Sequence, residues 1–488
     1  MNRPALHFLL TNFALVLSAF SVFFWLWRLN VHTREVSTQL SLSRNTATAL
    51  KQGATTLYDI RPAFKLKELQ RLLTHEELAD LVSTCNRVVE RSLTTATIVH
   101  GLSERVYIAT GDIDAMWLRD SAVQASVLFQ AVQKQPFLQM LLAGLLRTHA
   151  YMILQDPYAN SFRKAWREPQ PKERALRRGG WVDTGNWEPD SLAYFLHFLA
   201  DYASAPAIVS SSTVLKEPAI FNAVLLILRT FQAEQRHAQQ SHYRYAELPN
   251  DGLGMPVGYT GMVWGAFRPS DDAQKYGYNI PVNMFLHSGL EKLLTLNANQ
   301  YKSELVQILA SKLMRDIRNG IRTHGIVDST YAYEVDGLGN ALIDFDDANI
   351  PSLLSSPLLN FSDLQPDVYA ATRKRLLSPH NPQFFSGAKL EGIGSPHTPQ
   401  RHAWPLAVMV RALTATHANE AAQNMQYLLR MRCGDGLIHE SVHVDQPEHC
   451  TRPSFEWANS LFVQLVRAFF PDNDCSLEGL NASRIRHE

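Results

Sequence analysis

The chain has no excess charge of either sign: 46 basic residues balance 46 acidic ones over 488 positions. No basic run is interleaved with aromatic residues, so nothing recommends a nucleic-acid partner. Cysteine is scarce. Cys85, Cys433, Cys450 and Cys475 are too few and too scattered for a disulfide framework or a CxxC zinc site, which leaves room for one bridge that spacing cannot assign. No short-period repeat marks a solenoid, and strand-like alternation is confined to pieces such as RVYIAT and GLIHESVHV. At 46% hydrophobic and 19% charged, the chain is foldable and well away from disorder.

One long stretch stands apart. Residues 5–27 are overwhelmingly apolar, carry no charge and are long enough to cross a bilayer. Phe23, Phe24, Trp25, Leu26 and Trp27 are bulky where a signal peptidase needs small residues, so an uncleaved anchor is expected over residues 1–28. Arg3 and the pair Arg28 and Arg34 pull the orientation opposite ways. Long domains translocate largely regardless of such charges, which places the bulk of the chain outside the cytosol. A Ser-, Thr- and Ala-rich stem follows to residue 58. The expected catalytic domain spans 59–475, with a tail over 476–488. Asn360 and Asn481 stand in N-x-S/T sequons.

From about Ile60 the periodicity is helical. Residues 137–154, 218–231, 304–317 and 421–431 carry apolar positions at three-and-four spacing. Six polar, aromatic-bearing segments each precede an apolar one: TGDIDAMWLRDS, DTGNWEPDS, FRPSDDAQKYGYNIPVN, FDDANIPS, GSPHTPQRHAW and HCTRPSFEWANS. Six loop-then-helix units with other helices between them predict an all-α fold, an (α/α)6 toroid with its functional loops at one end.

The loops hold carboxyl chemistry. Asp271 and Asp272 are adjacent, and in a partly closed site like charges can raise one pKa, as a general acid requires. Arg268 is a natural partner for whichever stays ionised. The plain alternative is a helix N-cap and its neighbour. Glu440 is a candidate base, or a member of a surface ion pair. Arg119 and Asp120 could grip neighbouring sugar hydroxyls over the face of Trp117, with Asp112 and Asp114 in the same loop; a salt bridge clamping a helix start competes with that reading. Asp346, Asp347, Asn349, His397 and His402 are further candidates for hydroxyl contacts. Trp187 with Glu188 and Asp190, and Trp457 with Asn459, could line the rim, although a lone Trp is more often core.

His439, Glu440 and His443, with His449 beyond, reproduce the spacing of a zinc protease. That chemistry needs both histidines on one face of a helix, and the residues here alternate like a strand. A strand spreads positions i and i+4 roughly 13 Å apart, too far for one ion. No metal or other cofactor is expected.

TGDIDAMWLRDS, FRPSDDAQKYGYNIPVNMF, YAYEVDGLGN, DDANIPSLLS, GIGSPHTP, and HESV followed by TRPSFEWANS resemble, in order, the signature segments of glycoside hydrolase family 125. The resemblance covers nearly everything from Val106 to Phe470. It implies an (α/α)6 barrel and an exo-acting α-mannosidase with α-1,6 preference, inverting and metal-independent, acting on mannose-containing oligosaccharides or N-glycans. It also implies that the general acid lies in the Asp271–Asp272 motif, with Asp272 favoured, and that Glu440 is the base. Two alternatives remain at this stage. One is another (α/α)6 enzyme, a glucosidase or a phosphorylase, although the arginines are too scattered to mark a phosphate pocket. The other is an inactive, membrane-anchored glycan-binding protein.

Overall fold

The computed structural model describes residues 57–488 apart from 96, 102–103, 134, 165, 168–179, 206–212, 473–474, 476–484 and 488. The expected anchor, nearly all of the stem and the Asn481 sequon lie outside the described residues. Leu57 and Tyr58, placed in the stem by sequence, are buried, and Tyr58 bonds hydroxyl to hydroxyl with Tyr194 at 2.8 Å. Within the expected tail, Arg486–His487 forms a strand parallel to Thr97–His100.

Among the described residues, twelve helices of seven residues or more carry the architecture: α1 (Leu66–Leu72), α2 (His75–Thr95), α3 (Leu118–Ser126), α4 (Phe137–Gln155), α5 (Pro189–Ser204), α6 (Pro218–Glu234), α7 (Ile280–Leu296), α8 (Glu304–His324), α9 (Pro366–Leu376), α10 (Pro405–Leu413), α11 (Ala418–Arg430) and α12 (Glu456–Phe469). They sort into two layers. The inner ones, α3, α5, α7, α10 and α12, are buried nearly all round, which a helix tolerates only when neighbours cover every face. The outer ones are one-sided. In α8 the buried positions Val306, Ala310, Leu313, Ile317 and Ile321 form a single stripe, Ser303 caps Val306 N at 3.3 Å, and Arg322 and His324 sit in the last turn, where cations suit the helix dipole. Inner packing runs from α3 to α5 to α7, and α12 meets α3, α10 and the outer α2. The four helical segments expected from periodicity are all present, extended at one or both ends.

The fourth unit departs from the expected pattern. Its loop runs into one 3-10 turn, Ser356–Leu359, instead of a helix. Ser352 and Ser355 exchange side-chain bonds with each other's backbone N–H at 2.8 and 3.1 Å, and Pro357 brings no donor, so local bonds outcompete the helical ladder. Among the described residues α4 is long and apolar enough to cross a membrane, but most of it is buried inside the protein.

The one bridge allowed by sequence becomes two. Cys85 of α2 joins Cys475 with Cα atoms 5.6 Å apart, and Cys433 joins Cys450 at 6.3 Å. The first pair is 390 residues apart in the chain, so only closure of the ring reveals it.

Candidate active site

The loops ahead of the inner helices are stiffened by small sheets. His402–Ala403, Ser441–His443 and Cys450–Thr451 form one, with Val442 opposite both Ala403 and Cys450. Gly111 bridges to Phe455, joining the first loop to the sixth. Its φ of 102° and the carbonyl of Ser454 leave no room for a side chain there.

The Asp271–Asp272 loop is a tight turn. Asp271 N donates to Arg268 O at 2.9 Å, Arg268 N to Asp272 O at 2.8 Å, and Asp271 itself sits at φ 66°. This left-handed conformation, which Asp tolerates better than most residues, sits between the two side chains, and they find different partners. Asp271 Oδ1 accepts from Asn160 Nδ2 at 2.7 Å and Asn186 Nδ2 at 3.3 Å. Asp272 Oδ1 lies 3.2 Å from His397 Nδ1, while its buried Oδ2 meets no protein donor. The bond to Asp272, ahead of other influences, raises the His397 pKa, and Asp271 and Glu440 add to the effect. His397 thus stands within electrostatic reach of both the Asp pair and Glu440.

Arg268 does not pair with either aspartate side chain. Its Nε donates to Glu334 Oε1 at 2.6 Å, and Glu334 Oε2 takes Lys275 N and Tyr276 N at 2.9 and 3.0 Å. Buried Glu334 therefore pins both ends of the acid loop.

Glu440 is no surface residue: its side chain is 8% exposed. Thr451 Oγ1 donates to Oε2 at 3.0 Å, and Arg452 Nη1 lies 3.8 Å from Oε1. Burial pushes its pKa up, and Arg452 and Thr451 pull it back. Arg452 also donates to Asp112, with Nε 2.9 Å from Oδ1. Asn459 Oδ1 accepts Ile438 N at 3.1 Å, fixing the strand that presents Glu440.

Several other candidates are engaged by protein partners or buried. Both oxygens of Asp346 accept backbone N–H groups, from Leu353 and Leu354, each at 2.8 Å; burial still pushes its pKa up to about 8. Asp347 accepts from Ser270 and Asn349, at 2.8 and 2.9 Å, and so props the turn before Asp271. Trp187 is buried and donates to Trp264 O at 2.8 Å. Trp457 is likewise core, with the Arg119 guanidinium 4.7 Å over its ring. Trp117 is mostly buried too. Arg119 ties its own Asp120 to Glu188 and Asp190, so it clamps the starts of α3 and α5. His402 faces His443 across the sheet.

The zinc-protease spacing resolves as expected for a strand. His439 uses Nδ1 on Arg452 O at 2.7 Å and Nε2 on Asp435 at 3.1 Å, while His443 packs near His402 and His449. Among the described residues the one cluster with metal-ligand spacing is Cys433, His439 and Cys450; its thiols are bonded to each other and its imidazole is engaged. Glu334, Thr451, Arg452, Asn160 and Asn186 were missed by sequence reasoning. All but Asn160 stand in quoted motifs, and nothing around Asn160 distinguishes it.

A helical ring with carboxyl-bearing loops ahead of its inner helices matches one class, the (α/α)6 glycosidases. The glucoamylase of Saccharomycopsis fibuligera superposes with a TM-score of 0.52, covering 85% of this chain and 97% of its own, at 12% identity, a likeness of fold alone. Residues 77–467 match the family described as metal-independent alpha-mannosidase (GH125). An α-mannosidase of Streptococcus pneumoniae, solved in a non-productive substrate complex with α-1,6-mannobiose, is 32% identical with a TM-score of 0.72, over 83% of this chain and 96% of that one. The meiotically up-regulated gene 157 protein of Schizosaccharomyces pombe is 32% identical over 452 residues, 82% of this chain and 84% of that protein. The chain belongs to glycoside hydrolase family 125, the metal-independent α-mannosidases.

Proposed function

We propose that this chain removes terminal α-linked mannose one residue at a time, preferring α-1,6 linkages, with inversion of configuration. The observation that carries the mechanism is the contrast between two carboxyl groups within electrostatic reach of His397. Asp272 is partly exposed and has one oxygen beside His397, so its carboxyl is open to a leaving oxygen. Glu440 is buried, yet Arg452 and Thr451 favour its ionised form, as a base for water requires. Inverting enzymes hold such groups roughly 6.5–9.5 Å apart to admit the water. Family membership favours a mannosidase over the glucosidase and phosphorylase alternatives, and mannobiose in the pneumococcal relative supports the linkage.

Glu440→Gln keeps the shape but removes the base, and turnover should fall by at least about a hundredfold while substrate still binds. Asp272→Asn should cripple natural glycosides and spare those with good leaving groups, and Asp271→Asn should show no such leaving-group dependence. NMR of the first-formed sugar should show β-mannose. α-Mannose first, a near-wild-type Glu440→Gln, or release of internal oligosaccharides without free mannose would each sink the mechanism.

Residues 1–28 are proposed as an uncleaved anchor, with the catalytic domain on the non-cytosolic side, where N-glycans are substrates. Protease added to sealed vesicles should leave that domain intact; digestion without detergent reverses the topology.

A further inference from the structure

Four carboxyl groups crowd one guanidinium behind the Asp271–Asp272 turn. Arg119 Nη1 donates to Glu188 Oε2 at 2.7 Å and Asp190 Oδ2 at 3.2 Å, and its Nε lies 3.3 Å from Asp120 Oδ2. The side chains of Arg119, Asp120, Glu188 and Asp190 are at most 3% exposed. Asp271 is the fourth carboxyl: it acts on both Glu188 and Arg119 and already accepts the amides of Asn160 and Asn186. Arg452 reaches Asp120 only through its field. One cation cannot neutralise four anions where water is excluded. Two carboxylates also cannot hydrogen-bond to each other unless a proton lies between them.

The local backbone decides which group carries that proton. Asp120 and Asp190 occupy the first turns of α3 and α5, where exposed N–H groups and the helix dipole favour an anion. Glu188 precedes its helix and caps nothing with its side chain. Its Oε2 is taken by Arg119, and its buried Oε1 meets no donor. A carbonyl oxygen facing a guanidinium and a hydroxyl facing a carboxylate is the bonding pattern of a neutral acid.

We propose that Glu188 is a permanently neutral carboxylic acid whose Oε1 proton is donated to Asp271, making it a positioning residue that fixes the turn presenting Asp272. This rests on that turn carrying the general acid. Burial, ahead of every other influence, holds Glu188 well above the ordinary carboxyl range; Asp271 and Asp190 add to this and Arg119 opposes it.

Glutamine reproduces both bonds, with Nε2 donating to Asp271 and Oε1 accepting from Arg119. Glu188→Ala should lose about tenfold or more in kcat, the worth of a buried bond to a charged acceptor, with KM little changed. Glu188→Gln should restore kcat to within about threefold of wild type and leave the pH profile in place. Infrared difference spectra, wild type minus Glu188→Gln at neutral pH, should show loss of a protonated-carboxyl C=O band. Loss of carboxylate bands instead, or a Glu188→Gln protein that fails to fold or is as impaired as Glu188→Ala, overturns the proposal. The infrared result holds whether or not the chain cleaves mannosides, so it separates failure here from failure of the proposed function.

Discussion

The surroundings of Arg119 and of Arg452 use the same residue types to opposite ends. Arg119 is sealed under two helix starts and outnumbered by carboxyl groups, while Arg452 is partly exposed and pairs with Asp112 and Glu440. In the first, burial raises every acid that Arg119 holds, with Asp120 pushed up to about 6. In the second, burial pushes Glu440 up and Arg452 pulls it back. The lesson is that depth sets what a charge does: the deep cluster ties two helix starts together, and the shallow one tunes Glu440.

The sharpest way to break that comparison is to remove each arginine. Arg119→Ala strands Glu188, Asp190 and Asp120 without their cation and should cost about 3–5 kcal/mol of unfolding free energy, read from denaturant midpoints. A loss under about 1 kcal/mol, the range of exposed pairs, would show the cluster to be dispensable. Next comes the covalent tie beside Glu440. The Cys433–Cys450 bridge closes a loop of 17 residues. Cys433→Ser with Cys450→Ser should lower stability by about 3 kcal/mol or less and reduce kcat through Glu440, while the bridge between Cys85 and Cys475 stays intact. Unchanged melting and turnover would mean that the sheet alone holds the hairpin.

Arg452→Gln should change stability least, by about 0–1 kcal/mol, because Arg452 itself is partly exposed and lies 3.8 Å from Glu440. Its effect belongs to the pH profile. Arg452 lowers the Glu440 pKa, so removing it raises that pKa further, and the base is protonated at a higher pH as acid is added. The acid limb of kcat/KM should therefore move to higher pH. Movement the other way, or a large stability loss, would put Arg452 in the structural class with Arg119.

Much of this was legible in the chain. Helices α4, α6, α8 and α11 followed from apolar spacing, because an outer helix advertises its single buried stripe. Glu440 and the Asp271–Asp272 pair stood out because carboxyl groups flanked by apolar segments need a reason to be there. The strand at Ser441–His443 was foreseen from alternation, and the zinc-like spacing was correctly set aside. Chain order could not say which partner each charge would choose. Arg268 went to Glu334 rather than to Asp271 or Asp272, Asp346 to two backbone amides, and Trp187 and Trp457 to the core. The fourth unit became a turn because two serines bonded each other's backbone, and four cysteines became two bridges because the ring brought distant segments together. Periodicity and residue type act along the chain, so the sequence by itself determined the helical layers and the loops that carry the chemistry. Burial and ion pairing depend on distances between segments remote in sequence, and so only the tertiary structure decided which partner each of those polar residues takes and which of them are sealed inside.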